Sequence, residues 1–156
     1  GGGATSRGDA MRQTLDLAGA AVTVGIYALC ILVFVSRLVG KPSVGHGIGW
    51  ALHAAVVPLV VLVIFGRGRQ WQALYDLQIG LMLGFLAVEF LLDYWPKADF
   101  RHTQWIVVPY VMLFFAGTGG MLGVASAAGR AWTLPAVALY FVMAALAFVQ
   151  RRVTGT

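Results

Sequence analysis

Glu89 and Asp93 stand one helical turn apart in the run Val88-Glu89-Phe90-Leu91-Leu92-Asp93, near the end of an apolar stretch long enough to cross a bilayer. An ionised carboxylate in such a stretch is costly unless it is paired, protonated or hydrated, so it marks a site and calls for a partner. Two sets of residues answer. His46 and His53 flank Trp50 at helical spacing in the preceding apolar run and share one face. Arg101 and His102 come just before the following run. A buried glutamate beside a histidine can exchange a proton in the physiological range, and the pairing of Glu89 with His53 is the sharpest structural expectation from the sequence.

Three functions suit that chemistry. The first is proton-coupled binding or transport of a small or lipophilic ligand, with Glu89 and His53 as the intramembrane polar site. The second is a membrane-embedded enzyme acting on a lipid or isoprenoid, with Glu89 and His53 as acid and base and Asp93 or Arg101 in support. The third is an accessory subunit of a larger membrane complex, in which the polar cluster docks a neighbour or a lipid headgroup. Other chemistries lack their residues. The single cysteine, Cys30, lies midway along an apolar run, which removes intrachain disulfides, CxxC redox chemistry and thiolate zinc sites. No HxxxH or ExxH helix pattern points to a metal, and haem ligation by two histidines needs a second one securely within a span. Both lysines, Lys41 and Lys97, fall in loops, so no span offers a Schiff-base amine. No cofactor is expected.

The elements that must position these residues are membrane helices. Of the 156 residues, 60% are hydrophobic and 11% charged, against about 25% charged in a soluble domain. Five runs approach the roughly 20 apolar residues a spanning helix needs: 15–39, 47–65, 73–95, 105–128 and 133–150. The expected fold is all-α, a polytopic integral membrane protein whose five transmembrane helices form one compact bundle over residues 11–156. Residues 1–10 read as a flexible leader or a cloning scar ahead of Met11.

The net charge of +5 is spread over span ends and loops, which fits topology and lipid headgroups and not nucleic acid. The expected partners are the lipid bilayer itself and a second copy or a larger membrane complex. Let side A be the side of the N-terminus. Alternation then places Trp71, Tyr75 and Trp132 on side A and Trp50, Tyr94, Trp95 and Trp105 on side B, each near a span end, as interfacial aromatics should be. Side A carries Arg12, Arg67, Arg69 and Arg130, and side B carries Arg37, Lys41, Lys97, Arg101, Arg151 and Arg152. Counted without Arg7, that bias points side B and the C-terminus toward the cytoplasm.

The same layout gathers the chemistry. His46, His53, Glu89, Asp93, Arg101 and His102 all lie toward side B, whereas side A offers only Asp76 and Gln78 near a helix start. Small-xxx-small pairs, Ala21 with Gly25, Gly45 with Gly49, Gly80 with Gly84 and Gly119 with Gly123, supply close helix packing. Pro58 leaves the Ala54 carbonyl without its usual donor and predicts a kink in the second span.

Overall fold

A computed structural model describes residues 2–93 and 103–154. Six helices follow in order: α1 (Gly2–Leu38), α2 (Pro42–Ala54), α3 (Val56–Phe65), α4 (Gln72–Asp93), α5 (Gln104–Ser126) and α6 (Arg130–Thr154). Helices α2 and α3 together make the second of five segments long and apolar enough to cross a membrane. Over the described residues the protein is therefore an all-helical bundle of five candidate spans.

The break between α2 and α3 falls where proline chemistry puts it. Pro58 has no N–H for the Ala54 carbonyl, and the chain turns at Ala55. There the Ala55 amide donates to the Leu52 carbonyl at 3.0 Å in a tightened turn, and the Leu59 amide resumes the ladder on the Ala55 carbonyl at 3.1 Å. The α1–α2 and α5–α6 connections are short. Gly40, at φ +72°, and Gly129, at φ +104°, take the left-handed conformation that lets α1 and α5 end sharply.

The α1 helix continues without interruption back to Gly2. Once the buried part of α1 is fixed, each further residue adds one hydrogen bond, and no proline stops the propagation. At 1.5 Å per residue, the 37 residues of α1 reach about 55 Å, well beyond a hydrocarbon core of about 30 Å. Residues 6–14 are accordingly exposed.

Around the bundle α2/α3 packs on α4, α4 on α5, α5 on α6 and α6 on α1, which returns to α2/α3; α1 also touches α5 across the middle. In the half toward side A these helices are drawn tightly together. Thr23 donates to the Met121 carbonyl at 3.2 Å, and the Tyr27 hydroxyl donates to the Thr118 carbonyl, so two side chains of α1 grip the backbone of α5. Gly117, Gly120 and Gly123 form a row facing α4. A Cβ on Gly117 would lie 3.1 Å from the Leu81 carbonyl oxygen, and one on Gly120 would lie 3.3 Å from Gln78 Cα. This row repeats every three residues, not at the four-residue spacing read from the sequence. Gly80 and Gly84 have open space where a Cβ would stand, as does Gly25. Of the glycines read from the sequence, Gly45 is set against Ser36 of α1, Gly119 against Tyr140 of α6 and Gly123 against Gln78 of α4.

Candidate functional site

Toward side B the packing loosens because its side chains are larger. Phe34 of α1, Phe85 of α4 and Phe114 of α5 meet ring to ring, with centroids 5.2 Å apart for Phe85–Phe114 and 5.9 Å for Phe34–Phe114. Glycine brings α5 against α4 in one half, and aromatic rings stand between the same helices in the other. Between these helices lies a cavity of about 530 Å³, within the ~300–1,000 Å³ range of small-ligand sites. Cys30, Val33, Phe85 and Phe114 form part of its apolar wall. Phe115 of α5 and Phe148 of α6, stacked at 5.9 Å with 21° between ring planes, line it as well. Polar atoms come from Arg37, Glu89, Tyr110, Gln150, Arg151 and Arg152.

Beside it sits a smaller, more polar cavity of about 200 Å³ whose lining includes Pro42, His46, Gly49 and Asp93. Val33, Arg37 and Glu89 belong to both linings. Glu89 thus faces an aromatic chamber on one side and a polar vestibule on the other, with Oε2 of its carboxylate shielded from solvent. Arg37 reaches toward Asp93 with Nη2 and Oδ2 3.9 Å apart, at the long end of an ion pair. The i, i+4 spacing of Glu89 and Asp93 places both carboxylates on the face of α4 that meets α1 and α2.

The structure brings Glu89, Asp93 and His46 together around the vestibule. His53 is placed differently. Its Nδ1 donates to the Gly49 carbonyl one turn earlier in α2 at 2.7 Å, which puts the other ring nitrogen, the buried Nε2, in the accepting role when the ring is neutral. The imidazole packs edge-on against Phe90 at 5.8 Å and near Trp50 at 6.5 Å, and lines neither of the two cavities. It stands one aromatic ring from α4, against the residue next to Glu89. Arg101 and His102 lie outside the described residues, as do Tyr94, Trp95 and Lys97. Among the described residues no three His, Cys, Asp or Glu side chains form a group that could hold a metal ion.

Two groups of residues escaped the sequence reading. Gln150, Arg151 and Arg152 look like a plain helix end followed by interfacial charges, yet Gln150 is only 4% exposed and all three line the larger cavity. The signal available was a glutamine within the last apolar turn. The second group corrects the view that side A is nearly empty of polar contacts. Asp16 of α1 pairs with Arg69 at 2.5 Å, Arg69 lies 4.1 Å over the Tyr75 ring, and Arg12 donates to the Gly68 carbonyl at 3.0 Å. Arg69 also donates through Nε to the Gly66 carbonyl at 3.2 Å, and Gln72 donates to Asp76 at 2.8 Å. These contacts fasten the α3–α4 turn to α1. Asp16 and Arg69 sit at the ends of separate apolar runs and 53 residues apart, so only the fold shows that they meet.

The class defined by this architecture is a multi-pass helical membrane protein with a partly polar cavity at one end. A scan against protein-family models finds no match to the chain, and searches of curated proteins and of solved structures find none either.

Proposed function

We propose that the protein binds a small lipophilic ligand in the side-B cavity and couples that binding to a proton on Glu89. The observation that carries the reading is that Glu89 belongs to both cavities at once. An apolar chamber of this volume can desolvate a ligand, while the vestibule gives the same carboxylate a polar route along which a proton can come or go. The groups that share the two cavities with Glu89 include Cys30 and Arg37 from α1, His46 from α2, Asp93 from α4 itself, Tyr110 from α5 and Arg151 and Arg152 from α6. His53 takes part as the neighbouring imidazole behind Phe90. The excess of lysine plus arginine on side B, counted without Arg7, supports placing that side, the vestibule and the C-terminus in the cytoplasm.

Photolabelling tests the reading. The protein is placed in phosphatidylcholine nanodiscs with a long-chain probe bearing a diazirine near its tail, irradiated across a pH series, and the adducts are mapped by mass spectrometry. The expected adducts fall on Phe114, Phe115 and Phe148 and saturate with probe. Their yield changes with pH in the wild type, and Glu89→Gln removes that dependence. Adducts scattered over exposed residues such as Leu134, Phe141 and Met112, with no saturation, would sink the proposal.

A further inference from the structure

The larger cavity has walls of one character and a mouth of another. Phe34, Phe85, Phe114, Phe115 and Phe148 surround its body, and the remaining polar atoms gather where α1, α4 and α6 end. Among the described residues its lining carries three guanidinium groups, Arg37, Arg151 and Arg152, against one carboxylate, Glu89. The buried Gln150 adds an amide, and Tyr110 a phenol. Asp93, the other nearby acid, is drawn toward Arg37 from the vestibule side, so it does not neutralise the mouth at Arg151 and Arg152.

Interfacial arginines after the last span would be explained by headgroup contact alone if they pointed away from the bundle. Here both line the chamber, as does the glutamine before them. Arginine presents a planar fork that matches the paired oxygens of a carboxylate or phosphate. A neutral lipophile would leave Arg151 and Arg152 beside a filled apolar cavity in which Glu89 is the one carboxylate among the described lining residues, Asp93 being drawn to Arg37.

We infer that the ligand is a single-chain anionic amphiphile, its chain lying among the phenylalanines and its carboxylate or phosphate-monoester head held by Arg37, Arg151 and Arg152. The volume, about 530 Å³, sits in the lower half of the ~300–1,000 Å³ range for single-ligand sites, which suits one chain with a compact head. This inference rests on the lipophilic-binding reading and narrows it to one charge class. It also gives the proton a purpose: an anion arriving beside Glu89 is accommodated when that carboxylate takes up a proton from the vestibule.

The experiment compares three diazirine probes of identical chain length, a fatty acid, an alkyl phosphate and a fatty alcohol, in neutral phosphatidylcholine nanodiscs. The acid or the phosphate is expected to half-saturate cavity adducts at a concentration at least about tenfold below the alcohol, a difference of about 1.4 kcal/mol. Whichever of the two binds tighter identifies the head as carboxylate or phosphate. Arg151→Gln, at an exposed position that need not disturb folding, should reduce the preference several-fold, and Arg37→Gln should reduce it further. Arg130→Gln, at the opposite end of α6, should leave it unchanged. If the alcohol labels the cavity as readily as the acid and the phosphate, the anionic assignment falls while lipophilic binding stands. If no probe labels the cavity, both fall together.

Discussion

Replacing Gly117 with alanine puts a methyl group where α4 and α5 leave no room for one. The new Cβ would stand 3.1 Å from the Leu81 carbonyl oxygen and 3.2 Å from Met82 Cα, inside the roughly 3.5–4.0 Å at which such atoms pack comfortably. Both obstacles are backbone, so the helices must part by a few tenths of an ångström along the tight half of the bundle. Overpacking of this kind costs about 1–3 kcal/mol, partly offset by the roughly 0.5–1 kcal/mol that alanine gains over glycine within a helix. The net expectation is a loss of about 1–2 kcal/mol. Gly80, on the partner helix, supplies the control, because a Cβ there meets nothing within 4 Å. Gly80→Ala should therefore keep only the propensity gain and stabilise by about 0.5–1 kcal/mol. The two variants differ from wild type by the same methyl group and are expected to shift in opposite directions. Reversible unfolding in mixed dodecylmaltoside and SDS micelles, followed by tryptophan fluorescence, reads both. Equal shifts, or a stabilised Gly117→Ala beside a destabilised Gly80→Ala, would refute the assignment of this glycine row to the α4–α5 contact.

Asp16→Asn removes the charge that Arg69 faces at 2.5 Å and should cost about 2 kcal/mol in the same unfolding assay, with trypsin cutting after Arg67 or Arg69 sooner than in wild type; unchanged proteolysis would show that the α3–α4 turn is held by other contacts. Tyr27→Phe takes away the donor to the Thr118 carbonyl and should cost about 1 kcal/mol, whereas no measurable loss would mean that α5 does not depend on this grip. Orientation is read by replacing Cys30 with alanine and introducing Ser126→Cys on side A or Thr103→Cys on side B, both exposed. An impermeant maleimide added to intact cells is expected to modify only the first, and the reverse pattern would overturn the cytoplasmic placement of side B.

The five spans were legible because a bilayer imposes a length and a polarity on each of them, and both survive in a single sequence. The break in the second span was legible for a similar reason, since Pro58 removes one donor at one known carbonyl. The choice among small residues was not. Gly80 with Gly84 and Gly117 with Gly120 and Gly123 look equally suited to close packing, and spacing alone favours the four-residue pair. Which row is used depends on how α5 is rotated about its axis, and that rotation is fixed by Thr23 and Tyr27 of α1 reaching the Met121 and Thr118 carbonyls. Those are contacts across nearly one hundred residues. The N-terminal part of α1 carries glycines that argue locally for a loose chain, while its helicity is inherited from the anchored segment that follows.

Glu89 was legible as a site residue from its own position, since few residues reach that depth without a reason. Its surroundings were not, because they come from four other helices, α1, α2, α5 and α6, whose residues are far apart in the sequence. The uneven distribution of side-chain size explains why they do. Threonine, tyrosine and the glycine row close the side-A half, and the ion pair of Asp16 with Arg69 pins the turn at that end. Bulky rings at Phe34, Phe85 and Phe114 keep the other half from closing in the same way. A bundle fastened at one end and wedged at the other must leave its space near the wedge, and the only acid facing the larger chamber among the described residues is Glu89. The location of the cavity is thus a consequence of packing, and its polarity a consequence of which helix ends happen to meet there: α1 at Arg37, α4 at Glu89 and α6 at Gln150, Arg151 and Arg152.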